Sequence, residues 1–478
     1  MKNRLGIIRQ FDAGSNVATL ILLLIACCGP LYFGSVLPRE RIALQIGACM
    51  ALAAVAGGRK TLTELADVKI PALAVAAVGT FGILQSLAYP RFLVELIAPR
   101  LAAAWTETAE LTGAAIDWIP LSLSPSVSRE VGLHWLALAA CLTAAGLVGR
   151  ERRLRHLLAF GVLAVAVFEI VYGSDNWFTQ SGTIWGVEVG GDPSRLRGTF
   201  VNPDHLALLL IISNALCFAW LWWSVRRVGR SGTIERRLLH AVQPSLIFLM
   251  LFVGLAFTGS RAGLLAMVLA VLFQTLMLAV HYRRWQVGLL SSGALVLGLV
   301  GIALFGLQKG LGRWMETSAY EIALSSRFDV YQASLDLWLL FPWSGTGLGT
   351  FRQAFPLVQP VSLQQTWLHA HNDILELLVT TGLVGLPLMA YGLWALYWRL
   401  WKVFQRGRRS ADRAAGLGAL GAVVGVLIHS CFDFGLTLPA NAFTLAIICG
   451  LACGTRILPS RRPAPAAKTP AAELAETE

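Results

Sequence analysis

Apolar residues in this chain come in long unbroken runs. Twelve stretches are free of Asp and Lys/Arg: 14–38, 42–58, 70–90, 131–149, 157–174, 206–225, 238–260, 262–282, 286–308, 377–398, 414–432 and 434–455, with Glu169 the one acidic residue, inside the fifth. A helix needs about 20 apolar residues to cross roughly 30 Å of hydrocarbon. Each run therefore predicts a membrane span, the second only marginally. The expected fold is all-α and polytopic, with about twelve transmembrane helices. The first run continues into Pro38 and further spans without a small-residue cleavage site, so it reads as an anchor rather than a signal peptide.

Three segments between the runs are long: 91–130, 175–205 and 309–376. The first holds an amphipathic stretch, Phe92 to Leu111, with Trp105 and Trp118 nearby, suited to a membrane interface. The third is rich in Trp, Gly and Pro. Its aromatic content argues against disorder, and long loops of this kind are commonly functional. Residues 1–459 are expected to form one integral membrane domain. Residues 460–478, Pro/Ala-rich and then acidic, are expected to form a flexible cytoplasmic tail.

Composition narrows the class. Of the 478 residues, 56% are hydrophobic and 14% charged, against about 25% charged in soluble domains. A soluble enzyme, a disordered chain and a small disulfide scaffold are excluded. The net charge of +12 would suggest nucleic acid in a soluble protein, but its distribution points elsewhere. With a cytoplasmic N-terminus, 27 of the 39 Lys and Arg fall on the cytoplasmic side. This bias predicts both termini inside and basic loops facing anionic lipid head groups, with no nucleic-acid partner. The eight cysteines lie in or beside apolar runs and form no CxxC pair, as small core hydrophobes would.

Candidate chemistry collects at the outer ends of the spans. Arg195-Leu196-Arg197-Gly198-Thr199-Phe200-Val201-Asn202-Pro203-Asp204-His205 precedes the sixth span. Thr258-Gly259-Ser260-Arg261-Ala262-Gly263 joins the seventh and eighth, and Arg261 is the only charged residue between Leu238 and Tyr282. Arginine beside hydrocarbon is costly and normally has an anionic partner or an aqueous cavity; Glu169 is a candidate buried partner for one arginine. Ser325-Ser326-Arg327-Phe328 is followed by Pro342-Trp343-Ser344-Gly345-Thr346-Gly347-Leu348-Gly349, whose glycines predict a flexible or tightly turned loop rather than a nucleotide site, because no βαβ unit surrounds them. Trp367-Leu368-His369-Ala370-His371-Asn372-Asp373 opens the tenth span. A His-x-His pair lacks a third zinc ligand, and a histidine near neutral pKa suits a general base. His429-Ser430-Cys431-Phe432-Asp433 closes the eleventh span, either supporting a site or capping helix ends.

Arginines and a histidine on one membrane face make a chemical proposal. Guanidinium groups grip phosphate oxygens with paired hydrogen bonds and stabilise charge building on a departing diphosphate. No carboxylate cluster stands out as a metal site, so arginine would take a metal's role and no cofactor is expected. A lipid-linked oligosaccharide transporter is the alternative class. It would need polar groups reachable from both faces, whereas here they gather at one.

These segments resemble the O-antigen ligase and O-antigen polymerase family of bacterial inner-membrane glycosyltransferases. The likeness is carried by Arg-Gly-Thr-Phe-x-Asn at Arg197–Asn202, Thr-Gly-Ser-Arg-Ala-Gly around Arg261, Ser326-Arg327 through Gly349, and His369-Ala370-His371-Asn372 followed by Gly382 and Gly385. The resemblance implies a periplasmic site, an undecaprenyl-diphosphate-linked glycan donor, and metal-independent, inverting transfer to a hydroxyl acceptor. It implies diphosphate binding by Arg197 and Arg261, a recurring arginine at Arg327, and His371 as base. His369, Asn372, Asn202, His429 and Asp433 are expected to support the site. Lipid A–core is the first acceptor implied. Polymerisation of a lipid-linked glycan comes second and glycosylation of protein hydroxyls third.

Overall fold

The computed structural model describes residues 13–57, 65–113, 117–228, 233–283 and 317–459. Among them the chain is all-α and polytopic. The helices are α1 (Ala13–Leu31), α2 (Pro38–Ala56), α3 (Lys69–Gln85), α4 (Arg91–Ile97), α5 (Pro99–Thr112), α6 (Pro125–Val148), α7 (Arg152–Thr179), α8 (Pro203–Arg227), α9 (Ile234–Phe257), α10 (Arg261–Tyr282), α11 (Thr317–Leu340), α12 (Phe351–Ala354), α13 (Asp373–Arg406), α14 (Ser410–His429) and α15 (Pro439–Cys453). Two 3-10 turns, Phe33–Ser35 and Phe355–Leu357, and two short antiparallel strand pairs, β1 (Ala88–Pro90) with β2 (Trp118–Pro120) across α4 and α5, and the hairpin β3 (Thr183–Ile184) with β4 (Val187–Glu188), complete the described regular structure.

Eleven of the twelve apolar runs fall on helices; the run 286–308 lies outside the described residues. Among the described residues eight helices are long and apolar enough to cross a membrane: α1, α6, α7, α8, α9, α10, α13 and α14. The helices α3 and α15 are apolar but shorter. Helix α2 starts at Pro38 and takes Arg39, Glu40 and Arg41 into its first turn, which lowers its hydropathy. One continuous apolar core joins α1, α2, α6, α7, α8, α9, α10, α14 and α15. Inside it Gln274 of α10 donates to the Ala215 and Leu417 carbonyls at 2.9 and 3.1 Å, fastening α10 to α8 and α14 where no water competes.

The described parts of the long segments between spans are structured. The amphipathic stretch becomes α4 and α5, parted at Ala98-Pro99. Their buried residues Val94, Leu101 and Ala102 share a second apolar cluster with Val330 and Leu337 of α11, with Phe341 just after it, and with Phe351, Phe355 and Ala370. This cluster caps one end of the bundle. At the opposite end arginines gather carbonyls and carboxylates. Arg399 donates to Cys453 and Thr455 carbonyls and pairs with Asp67, and Arg155 pairs with Asp412.

Helix α13 extends beyond its apolar run at both ends, from Asp373 to Arg406, and is broken within it. Gly382 adopts φ 61°, ψ −162°, a region essentially confined to glycine. The break orphans two carbonyls and two amides of the helix, a costly state in a membrane protein. The loop 342–347 satisfies all four. Thr346 and Gly347 amides donate to the Val379 and Thr380 carbonyls, and Leu383 and Val384 amides donate to the Pro342 and Trp343 carbonyls. Buried Gln85 of α3 ties the same junction, donating to the Ser344 and Thr380 carbonyls and accepting from the Leu348 amide. The glycine-rich loop is thus tightly turned, with Gly345, Gly347 and Gly349 all at positive φ.

Gly382→Ala is expected to destabilise the protein by about 1–3 kcal/mol, since a Cβ there would also meet the Trp343 carbonyl oxygen. Thermal unfolding of the purified protein in detergent checks this. An unchanged midpoint would show that the junction tolerates rearrangement.

Candidate functional site

The polar segments singled out in the sequence lie at the capped end of the bundle, at the starts of α8, α10 and α13 and the end of α14. Asn202 caps α8, its side chain accepting from the Asp204 amide at 2.9 Å. Ser260 caps α10 by accepting from Gly263, which places Arg261 as the first residue of that helix, half-buried. The two segments are joined directly. Leu196 donates its amide to the Phe257 carbonyl at 3.0 Å, and Arg195 donates to the Thr258 carbonyl at 2.6 Å while pairing with Asp204 at 2.8 Å.

Arg197 is 6% exposed and donates to the Gly190 and Val189 carbonyls at 2.9 and 3.4 Å, holding the loop that follows β4. The link to the Arg261 turn is thus made by Arg195, and Arg197 is turned toward the loop instead. Glu169 is not the partner of an arginine. It is fully buried and accepts from the Thr199 hydroxyl at 2.6 Å and the Thr199 amide at 2.7 Å. A carboxylate with two donors needs no cation, and Thr199 is the nearer group. Gly198, at φ 58°, lies so close to Glu169 that a Cβ would overlap its carboxylate.

The histidines precede α13 rather than opening it. Asn372 is the helix cap, accepting from the Ile374 and Leu375 amides and donating to the Cys431 carbonyl at 3.1 Å. His371 has φ 51°, a left-handed conformation that costs a side-chain-bearing residue roughly 1–2 kcal/mol. The two imidazoles separate onto different carboxylates. His371 Nδ1 lies 3.2 Å from Asp433 Oδ1, and His369 Nδ1 lies 3.0 Å from Glu376 Oε1. Both rings meet Phe434, His369 stacked on it at 4.2 Å and His371 edge-on at 4.8 Å. Among the described residues no three His, Cys, Asp or Glu side chains are grouped as metal ligands.

Asp433 is 3% exposed and also accepts from the Phe434 amide at 2.9 Å. Burial alone would push its carboxyl up. The hydrogen bond from His371, with His429 and His205 facing it, overcomes burial and holds it well below the ordinary carboxylate range. His429, the last residue of α14, is fully buried, and among the described residues neither ring nitrogen has a hydrogen-bond partner. His205 packs edge-on against Phe434 at 4.9 Å. Arg327, half-buried on α11, donates to the Phe432 carbonyl at 3.4 Å, next to Asp433. One helical turn on, Tyr331 donates to the His371 carbonyl at 2.9 Å.

A continuous set of contacts thus runs from the Arg261 turn through Arg195 and Asp204-His205 to Phe434, His371 and Asp433, with Arg327 at its edge. Arg195, Asp204, His205, Tyr331, Glu376 and Phe434 are additions to the sequence reading. Asp204 and His205 stand inside the segment already noted, and Tyr331 is four residues from Arg327, so helical spacing could have found it. Phe434 carries no sequence signal of its role.

The His369–Glu376 pair predicts a pH effect. Burial disfavours a charged His369, but Glu376, aided by Asp373 and Asp433, outweighs it and raises the imidazole pKa above its ordinary value. The stability this contributes is complete below about pH 6.5 and is lost as pH rises through the raised value. Glu376→Gln is expected to remove that slope from thermal midpoints measured between pH 5 and 9; an unaltered slope would contradict the pairing.

Residues 246–390 match a family model described as O-antigen ligase. The stretch runs from within α9 through Arg261, Arg327, the glycine loop and His371 to the resumed part of α13. It does not include Arg195–His205 or His429–Asp433. No curated protein matches the chain. The match spans a little under a third of the chain and bears out the resemblance seen in the motifs around Arg261, Arg327 and His371: over that stretch this polytopic membrane chain is similar to the O-antigen ligase family.

Proposed function

We propose that the chain is a glycosyltransferase that moves a glycan from an undecaprenyl-diphosphate carrier to a hydroxyl acceptor. Ligation of polysaccharide to lipid A–core is the first reading. Its setting is the bacterial inner membrane, with the site facing the periplasm. The concentration of basic residues at the opposite end supports that orientation.

The observation that carries the reading is the carboxylate-backed imidazole, His371 on Asp433 at 3.2 Å, in a family-matched chain with arginines at the same end. With Nδ1–H directed at Asp433, Nε2 holds the lone pair and takes the proton of the acceptor hydroxyl. The acceptor oxygen bonds to the anomeric carbon as the bond from that carbon to the diphosphate oxygen breaks. The electron pair leaves with undecaprenyl diphosphate, and configuration inverts. Asp433 stabilises the imidazolium that forms, in the manner of a triad carboxylate. Arg261 and Arg327 are the guanidinium groups assigned to the diphosphate, whose growing charge they stabilise. Arg197 serves the same site by fixing the loop beside it. Polymerisation and protein glycosylation use the same chemistry and differ only in acceptor.

Purified protein in nanodiscs, supplied with undecaprenyl-diphosphate glycan and lipid A–core, is expected to form glycosylated lipid A–core. His371→Ala should lower turnover by roughly 10²–10⁴. Longer lipid-linked glycan from donor alone would identify a polymerase, product on a protein acceptor a protein transferase, and no product with any acceptor would contradict the enzyme reading in favour of transport. Arg261→Lys and Arg327→Lys are each expected to reduce turnover roughly ten- to hundredfold, because an ammonium cannot reproduce the paired guanidinium bonds; wild-type rates would remove that arginine from the role. EDTA is expected to leave transfer intact, and a zinc-reversible loss would revive a metal role for the His-x-His pair.

A further inference from the structure

The conformation of His371 is held from outside its own segment. Its left-handed φ of 51° is one that histidine seldom adopts. On the C-terminal side Asn372 is fixed by capping α13 and by its bond to the Cys431 carbonyl. The ring is bounded by the edges of Trp367 and Phe434, at 5.5 and 4.8 Å. What receives the His371 carbonyl is the hydroxyl of Tyr331, at 2.9 Å, and the same hydroxyl lies 3.5 Å from the Cys431 carbonyl. Tyr331 comes from α11, on the face that also carries Arg327 to the Phe432 carbonyl. Two side chains of one helix, a turn apart, therefore reach the backbone of the His371 turn and of the Asp433 turn.

We propose that Tyr331 is a positioning residue: by donating its hydroxyl to the His371 carbonyl it holds the left-handed turn that keeps Nδ1 on Asp433 and Nε2 toward the acceptor. This rests on the reading of His371 as base. A single phenol hydrogen bond accomplishes the alignment because the Asn372 cap leaves only the residue before it free to rotate. Without the hydroxyl, the carbonyl loses its partner, the backbone relaxes toward negative φ, and the ring swings off the carboxylate. Seating of α11 and placement of the base are then one event, which brings Arg327 into position at the same time.

Tyr331→Phe removes the hydroxyl and little else. Two measurements on the full-length protein in nanodiscs test it. The first needs no substrate: ¹⁵N spectra of histidine-labelled protein at alkaline pH, with the His371 signals assigned by their loss in His371→Gln. In the wild type the His371 ring is expected to carry its proton on Nδ1. In Tyr331→Phe the ratio of Nδ1- to Nε2-protonated ring should fall roughly three- to tenfold, the equivalent of one hydrogen bond, approaching Asp433→Asn, while the His369 signals stay unchanged. The second is transfer kinetics, where kcat should fall by a similar factor with KM unchanged. An unaltered His371 tautomer ratio would overturn the proposal, as would an unaltered kcat in an active enzyme, or His369 changing together with His371, which would make Tyr331 a general support of the fold. If the tautomer shifts as expected but the wild type transfers no glycan, the positioning role stands and the catalytic reading falls.

Discussion

The exchange of four backbone hydrogen bonds at Gly382 is the constraint on which the site depends. A helix that crosses a membrane must satisfy its backbone internally, yet α13 is interrupted less than three turns from its start. Loop 342–347 restores the lost bonds, and Gln85 seals the junction from α3. The first segment of α13 is thereby fixed at an angle to the rest while remaining fully bonded. That segment carries the Asn372 cap, Asp373 and Glu376, and its start sets where His369 and His371 stand. Asp373 accepts from the Ser430 hydroxyl at 2.7 Å and from the Leu436 amide at 3.3 Å, so the turn holding Asp433 is fastened to the same segment. A structural need of the membrane helix and the placement of an imidazole against a carboxylate are met by one junction.

The surroundings of His371 combine several energetic costs. A buried carboxylate, a left-handed histidine and a fully buried His429, unpartnered among the described residues, each destabilise the folded state. They are offset by the apolar cluster of α4, α5 and α11 that packs over this end. Apolar cover also removes competing water, which strengthens the interaction between imidazole and carboxylate. The opposite end carries ion pairs of another kind, Arg399 and Arg155 on carboxylates and helix-end carbonyls. The asymmetry between the two ends is the fold-level counterpart of the charge asymmetry in the sequence.

Much of this was legible in the sequence because hydrocarbon imposes a simple rule. Long uncharged runs must be helices, and eleven of them are. Polar residues at the ends of those runs, Arg261, His371 and Asp433, were identifiable because charge is sparse there, and Arg327 by the Ser-Arg motif that contains it. What could not be read was pairing. Glu169 looked like a counter-ion for an arginine and is instead saturated by Thr199, a choice set by the close approach of Gly198. Arg195 and Arg197 are alternatives two residues apart, and only the tertiary path of loop 189–197 directs the first to Thr258 and the second to Gly190. Phe434 gathers His205, His369 and His371 from two distant parts of the chain, a long-range contact with no local pattern. The break in α13 was signalled by Gly382, but the loop that fills it comes from some forty residues earlier.

The central claim is that His371 with Asp433 and the arginines at the same end form one lipid-diphosphate site. The most direct measurement is a cryo-electron microscopy structure of the protein in nanodiscs with undecaprenyl diphosphate bound. The account predicts diphosphate density within hydrogen-bond reach of Arg261 and Arg327, at the end of the bundle that holds His371. Density at the opposite, basic end near Arg150 and Arg413, or a diphosphate held by neither arginine, would contradict it.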